Sequence, residues 1–370
     1  MARDGEAWVA PEGRRGRGVA SNASGRYEAT EKVAFDDGWG SLDAAPPPLA
    51  TQVSVDASRT VIARNSSPDI GFDRSINPYR GCEHGCVYCF ARPTHAWLGL
   101  SPGLDFESRI LAKPDAPRLL AAELGRPSYR CAPIAMGTNT DPYQPVEREL
   151  RITRGILEVL SAWNHPVTIV TKSALVARDA DILSDMAARG LARVAVSVTS
   201  LDRRLARQME PRAATPARRI ETIGALSAAG IPTGVMAAPL IPALNDHEVE
   251  AILKAAAAAG ARHAGWILLR LPLEIADLFQ EWLAEAVPDR AARVMRLVRD
   301  TRGGRDYDPA FGTRMTGAGP VAAMIGRRFR LAARRLGLDA PRTPLRTDLF
   351  RPPPRAGDQL SLFGGAADPG

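Results

Sequence analysis

Three of the four cysteines in this 370-residue chain fall within eight positions, in the stretch PYRGCEHGCVYCFARP (Pro78–Pro93). Cys82, Cys86 and Cys89 bring three thiolates to one loop. A structural zinc ion takes four ligands. Here the fourth would have to be recruited from His84, His95 or Cys131, and there is no second CxxC pair. An iron–sulfur cluster is normally held by four thiolates. Three on a four-iron cluster leave one iron open to another ligand, and that incomplete count is the informative feature. Clustered cysteines without a metal are the bland alternative, and this spacing disfavours them.

Composition bounds the rest. Four cysteines are too few for a disulfide scaffold, so the cluster reads as metal or redox chemistry in a reducing compartment. No run of about 18 apolar residues occurs, so no membrane-spanning helix is expected. The first thirty residues carry RRGRG and no apolar core, which predicts a cytoplasmic chain without a secretory signal. The net charge is +7, unevenly spread. Between Ala286 and Arg355 stand sixteen arginines, no lysine and six aspartates, a local charge of +10. Arginine pairs bidentately with phosphate, so this region suits a polyanion; it equally suits a solvated arginine-rich surface.

The elements that must position the cysteines alternate strand and helix. Short strands are expected in Val53–Arg64, then at Ser75–Tyr79, Ala132–Gly137, Pro166–Lys172, Ala192–Ser200, within IPTGVMAAP, and at His263–Arg270. Helical spacing of Leu150, Ile156, Leu157 and Leu160 predicts a helix over Val146–Trp163. Further helices are expected over Pro216–Ala229, stopped by Gly230, and over His247–Ala259, capped by Asn245 or Asp246 and stopped by Gly260. More helix fills most of 272–303. Such alternation implies parallel strands with right-handed crossovers, and six units favour a partial (β/α)6 barrel over a doubly wound sheet. Four regions follow: a flexible basic arm over 1–50, the barrel over 51–285, an arginine-rich helical extension over 286–340, and an extended tail over 341–370. Both arms read as disordered or extended.

C-x3-C-x-aromatic-C after the first short strand of a (β/α) chain resembles the radical S-adenosylmethionine (radical SAM) superfamily. The resemblance implies a [4Fe–4S] cluster whose open iron chelates S-adenosylmethionine, with Tyr88 against the adenine. It also implies a one-electron reductant and a 5′-deoxyadenosyl radical that abstracts hydrogen from substrate. RGCEHGCVYCFARPTH, GTNTDPYQPVE, IVTKS and VAVSVTSLD look like a bacterial branch similar to spore photoproduct lyase. By that similarity Thr140, Lys172 and Ser197 fall where the lyase contacts S-adenosylmethionine. Their own placement agrees: each is at or just after the end of an expected strand, where (β/α) barrels build their sites. Two departures are implied. The lyase's hydrogen-donor cysteine is replaced by Thr138, and the tyrosine after its third cluster cysteine by Phe90. Both argue against thymine-dimer reversal. Asn139, Asp141 and Arg270 are possible substrate groups, and His84 and His95 could tune the cluster.

Near the end, Gln359, Leu360, Ser361, Leu362 and Phe363 spell QLSLF in an otherwise polar tail. The pentapeptide resembles the motif with which bacterial proteins dock to the replicative sliding clamp. Arg293, Arg296, Arg299 and Arg302 recur at i, i+3 spacing, a basic stripe. Together these predict a radical SAM enzyme acting on nucleic acid, DNA in repair, recruited by the clamp. The alternatives are an RNA base-modifying radical SAM enzyme and a non-catalytic, clamp-tethered DNA-binding protein with a structural metal.

Overall fold

The computed structural model describes residues 8–28 and 48–353. Ten strands occur among them: β1 (Gln52–Val55), β2 (Ile62–Arg64), β3 (Arg74–Ile76), β4 (Tyr79–Arg80), β5 (Arg109–Ala112), β6 (Ile134–Met136), β7 (Val167–Thr171), β8 (Ala192–Ser197), β9 (Thr233–Leu240) and β10 (His263–Leu268). Seven form one sheet in the order β10-β9-β8-β7-β6-β3-β2. Its six strands from β3 to β10 pair in parallel, and only β2 runs antiparallel, against β3. This is the expected six-unit α/β arrangement of radical SAM type. A small sheet, β1-β5-β4, flanks the cysteine loop.

The central strand β7 forms where β-branched residues are dense. All five residues of β7, VTIVT, are β-branched, and Val167, Ile169 and Thr171 are buried. Helix Ile152–Ala162 buries Ile152, Ile156, Leu157 and Leu160 against the sheet. Each such side chain contributes about 1.5–3 kcal/mol. The helix expected over Val146–Trp163 is broken in two, Glu147–Leu150 and Ile152–Ala162, because Arg151 takes a left-handed conformation (φ 51°). Leu150 therefore leaves the apolar face and is 43% exposed.

The helix expected over His247–Ala259 spans Val249–Ala258, behind a 3-10 turn at Asp246–Glu248. Asn245 does not cap it. Its buried amide instead donates to Thr199 O (2.7 Å) and Pro239 O (3.0 Å), and its carbonyl accepts from Ile241 N (2.7 Å).

The arginine-rich extension holds helices Pro288–Asp300 and Gly319–Arg335. Ala322, Ile325 and Phe329 join the main core, so the second helix is part of the barrel's packing. The basic stripe is not continuous. Arg302 is buried and donates to the carbonyls of Leu269 (2.7 Å), Thr313 (2.9 Å) and Arg314 (3.0 Å), while Arg299 pairs with Asp306 (2.6 Å). Residues 312–316 bridge the sheet's two edges. Leu268 N donates to Met315 O (2.9 Å), and Arg314 pairs with Asp69 (2.5 Å) between β2 and β3.

The basic arm is packed over 8–28. Val19 and Ala20 are buried, and Arg17 donates to Glu107 O at 2.7 Å. The composition reading missed this because the contact is made by backbone. A Cβ on Gly18 would stand 1.8 Å from Gly85 O, inside the cysteine loop, so only glycine permits the approach.

The tail leaves helix Gly319–Arg335 and, among the described residues, runs to 353 without helix or strand beneath the N-terminal ends of the strands. Ala264 N donates to Leu338 O (3.1 Å), Arg346 N to Gly190 O (3.0 Å) and Arg351 N to Trp163 O (3.1 Å). Phe350 packs among Tyr129, Trp163 and His165. Gln359–Phe363 lies outside the described residues.

His165 makes this end of the barrel sensitive to acid. Its Nδ1–H donates to Pro166 O (3.0 Å), and its Nε2 accepts from Tyr129 Oη (2.7 Å). Burial lowers its pKa to about 4, and does the same for His95. Both imidazoles are neutral in the fold but protonate near 6.5 once unfolded. Their stability is full above about pH 6.5 and is lost as pH falls toward about 4, on the order of 2–3 kcal/mol each. The melting temperature is expected to drop from about pH 7.5 to about pH 5, and to drop less in His165→Phe.

Candidate active site

The cysteine loop leaves β4 and closes onto the 3-10 helix Arg92–Leu98. Gly85 turns it with φ 66°, where a side chain would meet the Glu107 carboxylate at 2.6 Å. Backbone bonds fix the rest: Cys82 N to Phe106 O (2.9 Å), Cys89 N to Cys86 O (3.2 Å) and Val87 N to Met209 O (3.0 Å).

Two buried acids anchor the loop. Glu107 accepts from Gly18 N (2.7 Å) and Val19 N (3.2 Å) and pairs with Arg92 (2.5 Å). Arg92 in turn donates to Cys86 O (3.0 Å) and Gly103 O (2.9 Å). Glu83 accepts from Val146 N (2.8 Å) and pairs with Arg212 (3.1 Å). The GTNTDPYQP segment after β6 grips the loop's other side. Gln144 accepts from Glu83 N (2.8 Å) and donates to Gly81 O (3.1 Å), and Asp141 lies 3.4 Å from His84 Nδ1. Burial alone would raise the Asp141 carboxyl. His84, Lys172 N–H and the Thr171 hydroxyl outweigh it and bring the pKa to about 2.

Cys82 and Cys86 are buried, Cys89 is half-buried, and none forms a disulfide. Burial pushes the Cys82 and Cys86 thiols up; Asp141, Cys86 and Cys89 push Cys82 further, and Glu210 and Cys89 push Cys86 further. Lys172 is the strongest opposing influence on Cys86. Among the described residues no three His, Cys, Asp or Glu side chains converge on one ion position. A four-iron cluster sets a weaker demand, since each thiolate bonds a different iron. Three unpaired thiols in one loop, two of them buried, beside one lysine fit that group.

Tyr88 is buried, with Lys172 Nζ 5.8 Å from its ring centroid. Its hydroxyl donates to Glu210. Glu210 also accepts from Thr199 Oγ1 (2.6 Å) and pairs with Arg219, which donates to Ser197 O (3.1 Å) and Ala214 O (2.7 Å). The fold thus gathers the three cysteines, Tyr88 and Lys172. Ser197 ends the neighbouring strand and is buried. Thr140 is buried after β6, and its hydroxyl donates to Tyr79 O (2.9 Å), leaving only its lone pairs for a ligand.

His95 packs edge-on to Phe106 (5.2 Å), with Nε2–H on Arg109 O (3.0 Å), behind the loop. Cys131 precedes β6, at the opposite end of the strand from the site. Arg270, just beyond β10, lies over the Phe90 ring at 4.6 Å. Glu210, Arg219, Glu107 and Arg92 were not singled out in the sequence. The one available signal is Arg219, which lines up with Ile223 and Leu226 on the apolar face of helix Pro216–Ala228.

A family model described as the radical SAM superfamily matches residues 76–256. An uncharacterised protein of Mycobacterium tuberculosis (strain ATCC 25618 / H37Rv) is 40% identical over 230 residues, 62% of this chain and 68% of its own. An uncharacterised protein of Methanocaldococcus jannaschii is 28% identical over 173 residues, 47% of this chain and 62% of its own. Among solved structures, spore photoproduct lyase complexed with dinucleoside spore photoproduct superposes with a TM-score of 0.55 at 16% identity, covering 77% of this chain and 78% of that one. At that identity the likeness is one of fold. No helix among the described residues is long and apolar enough to cross a membrane.

Proposed function

We propose that this chain, which belongs to the radical SAM superfamily, is an enzyme that abstracts hydrogen from a nucleic-acid substrate in the cytoplasm, namely damaged DNA. Its cofactors are those of the family, a [4Fe–4S] cluster and S-adenosylmethionine. When bound, they supply one-electron cleavage of a carbon–sulfur bond and, with it, hydrogen abstraction. The observation that carries the reading is the loop of three unpaired thiols, two of them buried, at the C-terminal ends of six parallel strands, with Tyr88 and Lys172 beside it.

In this reading Cys82, Cys86 and Cys89 hold the cluster. The Tyr88 ring, fixed through its hydroxyl, lies against the adenine. The Lys172 ammonium takes the carboxylate, and Ser197 and Thr140 face the ribose side. Glu107, Arg92 and the Gly18–Val19 backbone exclude water from behind the loop. Neither a thiol nor a phenol stands at Thr138 or Phe90, so the reaction differs from thymine-dimer reversal. Thr138 Oγ1 donates to Asn77 at 3.3 Å.

Anaerobically purified protein is expected to hold iron and sulfide. After reduction it should release 5′-deoxyadenosine, faster when its nucleic-acid substrate is present. Release that survives alanine at all three cysteines would end the reading. Recruitment by the sliding clamp rests on QLSLF alone. It predicts that the full chain is retained on immobilised clamp and that deleting Gln359–Phe363 abolishes retention; equal retention of both removes the clamp from the proposal.

A further inference from the structure

Two cross-links join the segment after the cysteines to the loop after β10. At the first, Arg270 stacks on Phe90, which directly follows Cys89 and is 39% exposed. The Arg270 guanidinium meets Tyr307 Oη and Met315 Sδ, each at 3.5 Å, rather than a carboxylate, and its buried Nε has no partner. Arg302, which donates to Leu269 O, is near enough for the two charges to repel. At the second cross-link, Tyr27 and Trp97 lie against each other with centroids 4.5 Å apart and ring planes tilted by 32°. Arg26 lies over Tyr27 (5.4 Å) and forks onto Glu274 (2.7 and 2.8 Å). Tyr27 is 53% exposed and Trp97 69%.

An aromatic pair left this open offers exposed π faces, and the core has no use for them. Arg26 is neutralised by Glu274, so among the described residues the uncompensated cation on the seam is Arg270. An anion there would fill the free guanidinium directly beside the cysteine loop. The combination of a π platform and a separate unpaired guanidinium matches one ligand chemistry, a base linked to a phosphate. Duplex bases hide their faces, whereas an unpaired or extruded base exposes one.

We propose that this seam is a subsite for single-stranded nucleic acid. An unpaired base stacks on Trp97 and Tyr27, a phosphate of the same strand takes Arg270, and the strand is led toward the cysteine loop. The inference rests on the nucleic-acid reading above and deepens it: the substrate enters unpaired.

The test uses the full, cluster-loaded chain and fluorescence anisotropy with a labelled single-stranded DNA 12-mer and the same sequence as a duplex. The single strand is expected to bind more tightly. Trp97→Ala with Tyr27→Ala should weaken single-strand binding about fivefold or more, since one base loses its platform. Trp97→Phe, which keeps a π face, should restore most of the loss when Tyr27 is intact. Unchanged melting temperature and iron content would show that the variants fold. Three results overturn the proposal: single-strand binding unaltered in the double variant, tighter binding of the duplex by the wild type, or no binding of either DNA. Only the last also removes the DNA reading, so the two failures are told apart.

Discussion

Cys86→Ala is expected to give a folded protein that neither holds the cluster nor releases 5′-deoxyadenosine above the uncatalysed background. The loop does not depend on this sulfur for its shape. The Cys86 carbonyl is held by Arg92 Nε at 3.0 Å and by Cys89 N at 3.2 Å, and both bonds survive the change. What disappears is one of three ligands in a set with no spare. Cys131→Ala is the matched control. That half-buried thiol lies before β6, at the other end of the barrel, and its loss should leave iron content unchanged. Lys172→Met separates the two cofactors. It should retain iron, because the three thiols remain, yet raise the S-adenosylmethionine concentration for half-maximal cleavage about 10- to 100-fold, the worth of a charge-assisted bond of about 1.5–3 kcal/mol. Iron content and half-saturation across the three variants check the assignment. Loss of iron in Cys131→Ala, or retention in Cys86→Ala, would place the cluster elsewhere.

What could be read from the sequence divides along the range of the interactions. The cysteine loop is local: its spacing is its signal, and the fold adds only depth. The parallel strands were legible as short segments alternating with helical ones; β7, wholly β-branched, falls within one residue of its expected bounds. Lys172 beside Tyr88 was legible through the strand-end rule and the resemblance together. The features that escaped depend on single backbone states or on distant charges. One left-handed residue, Arg151, splits a helix whose side-chain periodicity gives no warning. Arg302 fits a basic stripe by spacing, but three carbonyls draw it inward. The glycines and arginines of the first arm read as unstructured, yet Glu107 binds Gly18 and Val19 across about ninety positions of chain. In each case composition averages over residues where one contact decides.

Glu210→Ala is expected to cost about 3–5 kcal/mol of stability, because it strands the Arg219 guanidinium in a buried site without its counter-charge. Both side chains are almost fully buried, and Glu210 is also the acceptor for the Tyr88 and Thr199 hydroxyls. Urea unfolding should show the loss as a lower midpoint with an unchanged slope. Stability alone cannot reveal whether Glu210 serves the cofactor, so a second variant is needed. Replacing the pair together, Glu210→Leu with Arg219→Met, removes both buried charges and should recover most of the loss, since an apolar pair often matches a buried ion pair. Tyr88 would then stand in a stable protein without the acceptor that fixes its ring above the loop. If Glu210 positions Tyr88, half-saturation by S-adenosylmethionine rises in the double variant while iron content and stability are kept. A double variant that regains both stability and wild-type half-saturation would reduce the Glu210–Arg219 pair to a structural strut and leave Tyr88 held by packing and by Thr199 Oγ1, 3.3 Å from its hydroxyl.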